Sequence, residues 1–128
     1  MITLLLTILP LLVEPTPESL HQELNRHRLI NLPYNESEQS ELDRKAKHLE
    51  TIFGHDHKGL GEPFLGECIW YGRNYREAIT DFMNSKGHRK ALKDLKAKSV
   101  CIGVYQGKES WFVVIRTYEA YKKAEAAQ

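Results

Sequence analysis

Apolar residues along the chain fall into two periods, one helical and one strand-like. Thr16-Pro17-Glu18 predicts a helix start, with a hydroxyl cap, a proline in the first turn and an acid at the positive end of the dipole. Leu20, Leu24 and His27 form its inward face, and the helix ends before Pro33. Leu42, Ala46, Leu49 and Phe53 recur at i, i+4, i+7 and i+11, a second amphipathic helix. Asn35 and Ser37 both offer its cap, and Gly54 stops it. Asn74-Tyr75-Arg76-Glu77 has a capping-box pattern, after which Tyr75, Ala78, Ile79, Phe82 and Met83 carry a third helix as far as Gly87. A short fourth helix fits 89–95. Segments 67–71, 99–105 and 111–118 are rich in β-branched and aromatic residues and read as strands, the last two joined by a hairpin loop at 106–110. Helices first, then a strand, a helix and a hairpin, predict an α+β fold with helices packed on a small antiparallel sheet.

The two ends break this pattern. Residues 1–13 carry no charge and are almost wholly apolar, then the chain turns polar at Glu14-Pro15. The stretch is too short to span a bilayer as a helix and has the length of the apolar region of a secretory signal. No Lys or Arg precedes it and no small-x-small cleavage site follows, so a buried first strand or helix is the other reading. The tail at 120–128 is polar and helix-prone. The expected organisation is a signal or apolar segment at 1–15, one domain at 16–119, and the tail.

Composition narrows the functional classes. The chain has 128 residues, 27% of them charged and 41% hydrophobic, which is the make-up of one folded domain rather than a disordered segment. A formal net charge of +1 gives no global electrostatic case for nucleic acid. No run of apolar residues is long enough for a membrane span, and a monomer is expected. The cysteines, Cys68 and Cys101, are too few for a four-cysteine zinc site. Export to an oxidising compartment would let them form a disulfide, whereas Cys68 beside a histidine would be a nucleophile.

Candidate chemistry sits at element ends. His55-Asp56-His57 closes the second helix, Gly66-Glu67-Cys68 opens the first strand, and Ser85-x-x-His88 closes the third helix. Two neutral imidazoles and a carboxylate can hold a divalent metal and leave a position for water. The spacing of His55, Glu67 and His88 matches no local zinc signature, and His55-Asp56-His57 reads equally as a solvated loop.

A wider set of residues carries a resemblance. Leu24-Asn25-x-x-Arg28, Leu42-x-x-x-Ala46, Phe53-x-His55, Gly66-Glu67 and above all Phe82-Met83-Asn84-Ser85-x-Gly87-His88-Arg89-x-x-Leu92 resemble, in order, the CAP superfamily of cysteine-rich secretory, antigen 5 and pathogenesis-related 1 proteins, also called the SCP domain. Ile102-Gly103-Val104 and the hairpin to an aromatic strand are similar to its closing sheet. The resemblance implies a three-layer α-β-α sandwich with a central cleft. It maps the cleft histidines and acid of the family onto His55, His88 and Glu67, with Ser85 and Asp56 beside them, and implies that a divalent metal such as Zn2+ can sit there. This chain departs from the family pattern in three places: Cys68 follows Gly-Glu where an Asn is usual, Phe82 replaces a Trp, and Ser85 stands where many members carry a second acid.

The remaining residues have structural readings. Arg28 ties the first helix to the sheet through carbonyls, since a guanidinium has five donors. His57 and Asp56 are loop residues, and Trp70, Tyr71, Trp111 and Phe112 are core or sheet pairs. The lysine-rich stretch 86–98 is a solvated face or holds an anionic surface. The resemblance then implies a secreted or periplasmic module that engages a lipid, a glycan or a protein. The alternative is a metal-dependent hydrolase with Glu67 as base. With one family-matched carboxylate, the first is expected.

Overall fold

The computed structural model describes residues 17–52, 57 and 63–119. The expectations for 1–15, the Thr16 cap, Phe53, the Gly54 stop, His55, Asp56 and the tail lie outside these residues. Helix α1 is Pro17–Arg26 and buries Leu20 and Leu24. A 3-10 turn at Glu36–Glu38 leads into α2, Gln39–Ile52, whose buried stripe is Leu42, Lys45, Ala46 and Leu49. Strand β1 is Gly66–Gly72. A second 3-10 turn, Tyr75–Glu77, precedes α3, Ala78–Met83, and α4, Lys86–Leu92. Strands β2, Ser99–Gln106, and β3, Trp111–Tyr118, form the hairpin.

The sheet has three antiparallel strands in the order β1-β3-β2. Side chains alternate across it, so each face packs against its own helical layer. On one face Cys68, Trp70, Val100, Ile102, Val113 and Ile115 meet α1, α3 and α4 through Leu20, Leu24, Ile79, Phe82 and Leu92. On the other, Ile69, Cys101, Phe112, Val114 and Tyr118 meet α2 through Leu42, Ala46 and Leu49. The fold is therefore α+β, with helices on both faces. Helix α2 lies so close to β2 that a Cβ at Gly103 would overlap the Leu42 carbonyl, which is why a glycine stands inside an otherwise β-branched strand.

The outer edge of β2 is also occupied. Val100 donates to the Pro33 carbonyl at 3.0 Å and accepts from Asn35 at 2.7 Å, a one-residue parallel bridge. One pleat further, the Ile102 N–H donates to the Tyr34 hydroxyl at 3.2 Å, and its carbonyl accepts from the Gln39 amide at 2.7 Å. Two polar side chains there take the place of a neighbouring backbone.

Three local expectations change. The third helix does not run to Gly87. It stops at Met83, Ser85 is extended at φ −108° and ψ 120°, and a new helix starts at Lys86 with Gly87 inside it. Gly87 lies inside this helix and does not take the left-handed backbone of a terminating glycine, so it is no stop signal. His27 is exposed, and the buried residue at that end of α1 is Arg28. The Arg28 guanidinium reaches the carbonyls of Leu92 and Asp94 after α4, not the sheet.

Candidate functional site

Strand β1 presents Glu67 and Cys68 to opposite faces of the sheet. Glu67 points to the α2 side, where its side chain is only 1% exposed. Directly across the ladder is Arg116 of β3, fully buried. Arg116 Nε donates to Glu67 Oε2 at 2.6 Å, and Nη1 lies 3.5 Å from Glu41 Oε2 of α2. Glu41 in turn accepts from Arg44 at 2.6 Å. The Phe64 ring covers the guanidinium, its centroid 4.5 Å from Cζ. Charges of alternating sign thus run from the buried sheet out to the surface of α2. Such a row answers the desolvation of Arg116, because a buried charge is tolerable only when paired and hydrogen-bonded. The remaining Glu67 oxygen, Oε1, is 2.9 Å from His57 Nδ1, whose side chain is half exposed.

His88 belongs to the other layer. Ser85 stands at the N-cap position of α4 without a side-chain bond to its backbone, and His88 is the third residue of the helix, so the Ser85 hydroxyl reaches the imidazole instead: Oγ to Nδ1 is 2.9 Å. This local pair fixes the ring, which also packs against Phe82 at 5.1 Å. The His88 carbonyl lies 3.9 Å from Cys68 Sγ. Ser85 and His88 line a groove of about 250 Å³ with Trp70, Tyr71, Asp81 and Phe82. Trp70 Nε1 donates to Asp81 Oδ2 at 2.8 Å, which fixes one wall.

Of the residues singled out in the sequence, Ser85 and His88 therefore come together, and Cys68 meets the backbone of His88. Glu67 joins Arg116 and His57, and none of these described contacts links it to His88. His57 is in a loop, as expected, yet its ring reaches the Glu67 carboxylate. His55 and Asp56 are not among the described residues. Sequence reasoning passed over Arg116, although an arginine inside Trp111-Phe112-Val113-Val114-Ile115-Arg116 was a visible signal of a buried partner.

The disulfide between Cys68 and Cys101 does not form, and both cysteines are free and buried. Cys68 aligns with Ile115 and Ile102, whereas Cys101 aligns with Arg116 and Glu67. The two thiols are thus on opposite faces, on outer strands separated by β3. Two strand spacings amount to roughly 9–10 Å, beyond the roughly 7 Å limit between Cα atoms of a disulfide. Burial pushes each thiol up to about 12, and for Cys68 the neighbouring Glu67 adds to the shift. Cys68 is therefore a neutral thiol at physiological pH and no nucleophile.

The donor set His55, Glu67 and His88 can be tested against a divalent cation by its chemistry. Glu67 already neutralises a buried guanidinium at 2.6 Å. A cation on the same carboxylate would sit within several ångströms of Arg116. At about 4 Å, even unit charges in an effective dielectric of 20 repel by about 4 kcal/mol. While Arg116 holds Oε2, Glu67 offers a cation only Oε1, which His57 already approaches at 2.9 Å. Among the described residues, no three His, Cys, Asp or Glu side chains are grouped to hold a metal ion.

A three-stranded antiparallel sheet between two helical layers, with a histidine groove beside β1, defines the class: a small α-β-α sandwich. Two solved proteins are similar to it. An outer surface protein from Borrelia burgdorferi matches with a TM-score of 0.67 at 16% identity, over 80% of this chain and 92% of that one. An extracellular protein containing an SCP domain, from Bacillus anthracis str. Ames, matches with a TM-score of 0.54 at 17% identity, over 81% of this chain and 44% of that one. At these identities the likeness is one of fold. No family model matches the sequence, and neither does any curated protein. Among the described residues, no helix is long and apolar enough to cross a membrane.

Proposed function

We propose that this chain is a secreted or surface-exposed SCP-type binding module, with the groove beside His88 as its ligand site, and that it is not a hydrolase. The observation that carries the reading is the commitment of Glu67 to Arg116. A metal-dependent hydrolase needs a carboxylate free to take a proton from water. An ion pair at 2.6 Å with a buried arginine occupies one of the Glu67 oxygens and turns it away from any reacting atom. The structural neighbours, one an outer surface protein and one an extracellular protein, support the location. The groove, walled by Trp70, Phe82 and His88, suits a small apolar group with one hydrogen-bonding atom, as part of a lipid, a glycan or a protein.

The test is a panel of peptide, ester and glycan substrates, with and without Zn2+, alongside a zinc titration of wild type and His88→Ala. No turnover is expected, and zinc should leave Glu67 paired with Arg116. Turnover that needs zinc and disappears in Glu67→Gln would overturn the reading in favour of the metal site His55, Glu67 and His88. Turnover lost in Ser85→Ala and blocked by zinc would overturn it in favour of a serine nucleophile with His88 as base.

A further inference from the structure

The loop after α1 and the loop after α4 are stitched into one tip by a single buried side chain. Arg28 donates through Nε to the Ile30 carbonyl at 3.0 Å, and through its terminal nitrogens to the carbonyls of Leu92 and Asp94. The residue that would ordinarily be the polar member of such a loop is thereby turned inward, at 8% exposure. The apolar residues beside it are turned outward: Leu29 is 91% exposed, Ile30 66% and Leu95 62%. Among the described residues, three of the five exposed large apolar side chains are at this tip; the other two are Ile52 and Tyr71.

The surroundings of this tip carry positive charge. Arg26 precedes the first loop, Lys93 and Lys96 bracket Leu95, Lys98 follows, and all four are exposed. The nearby acids are Asp94, whose carboxylate accepts the Lys96 backbone N–H at 2.9 Å, and Glu119. Glu119 shares with Leu95, Lys96 and Lys98 a shallow depression of about 470 Å³. Apolar residues at a rigid apex with basic residues around them match the layering of a lipid surface. In such a surface, anionic headgroups overlie hydrocarbon.

We propose that this tip docks the protein on an anionic lipid bilayer, with Leu29, Ile30 and Leu95 entering the interface and Arg26, Lys93, Lys96 and Lys98 meeting lipid phosphates. The inference stands apart from the binding-module reading. The tip shares no residue with the His88 groove, so either can fail alone. Charge complementarity selects this occupant: a second copy of the chain would bring the same basic rim against itself.

The experiment is co-sedimentation of the full chain with vesicles of phosphatidylcholine, alone or mixed with phosphatidylglycerol. Partitioning should require phosphatidylglycerol and weaken with salt. Leu29→Ser with Ile30→Ser should lower it by about tenfold or more, because the gain from moving two aliphatic side chains out of water is lost. Lys93→Gln and Lys96→Gln should each lower it about fivefold, and only on the anionic vesicles. Residues 1–16 are common to all variants, so differences report the tip. Thermal melts identical to wild type confirm that each variant folds, and the lysine variants decide the matter if the double serine variant does not. Equal binding to both vesicle types, or variants that bind as wild type does, would overturn the proposal. So would retention on dextran sulfate without any vesicle binding, which would point to an acidic glycan.

Discussion

The two faces of the sheet solve the same packing problem with different chemistry. The face under α1, α3 and α4 is largely apolar, from Leu20 and Leu24 to Phe82 and Ile115, with Thr117 its buried polar member and no buried ion pair among the described residues. The face under α2 has an apolar half around Leu42, Leu49 and Phe112 and a charged half in which Arg116 is buried between Glu67 and Glu41. On the apolar face each contact is non-directional and tolerates repacking. On the charged face stability depends on every partner being present, because losing one leaves a desolvated charge.

Removing Arg116 should separate the faces most sharply. Arg116→Ala is expected to cost about 3–5 kcal/mol, since Glu67 would remain buried without its cation. Adding Glu67→Leu should recover much of that loss. Ile115→Val, one residue along the same strand but on the apolar face, should cost only about 0.5–1.5 kcal/mol. Urea unfolding of the four proteins checks this. A single substitution Arg116→Ala as mild as Ile115→Val would erase the distinction.

Alkaline pH should show where the faces agree. Each thiol is raised from the ordinary value of 9.0 to about 12, Cys68 on one face and Cys101 on the other, with burial as the leading cause in both. A raised folded-state value means that the native state holds the proton more tightly. The stabilisation is complete below about pH 9 and is lost as pH rises towards 12. Burial also raises Tyr34 and Tyr118, which act in the same direction. The urea midpoint should therefore fall from about pH 8 to about pH 10.5, and less steeply in either Cys68→Ala or Cys101→Ala. In denaturant without reductant, a thiol titration should find both cysteines free.

Smaller effects should follow the exposure of each partner. Ser85→Ala removes one half-buried hydrogen bond to His88 and should cost about 0.5–1.5 kcal/mol, with a change in the His88 imidazole nitrogen signals in NMR. His57→Ala removes the half-exposed partner of the same carboxylate that Arg116 holds. It should cost about 0.5 kcal/mol or less, within the range of surface pairs. A His57→Ala loss as large as that of Arg116→Ala would show that both partners of Glu67 carry equal weight.

The comparison also explains what could be read from the chain. Leu20 and Leu24, the stripe Leu42, Ala46 and Leu49, and the three strands were legible because burial writes a period into the sequence. The break at Asn84-Ser85 was not. Phe82 and Met83 match a continuous helix, and the bend lies in the extended backbone of Ser85, whose side chain is bonded to His88. The pairing of Ser85 with His88 was half legible, since both sit in one short motif. The pairing of Glu67 with Arg116 was not, because 49 positions separate them and only strand register brings them opposite. The cysteines failed for the same reason. Strands β1 and β2 follow one another in sequence but are separated by β3 in the sheet, and one step of register selects the opposite face.

The capped margin of β2 carries one further consequence. An uncovered strand is a template on which another chain can pair and grow into an ordered aggregate. Here the groups at Val100 and Ile102 that would seed such growth are already engaged by Pro33, Asn35, Tyr34 and Gln39. A would-be templating chain must first evict a tyrosine and a glutamine that are themselves hydrogen-bonded to each other. The segment linking the first two helices thus doubles as a guard against fibril growth along that side, without an extra strand.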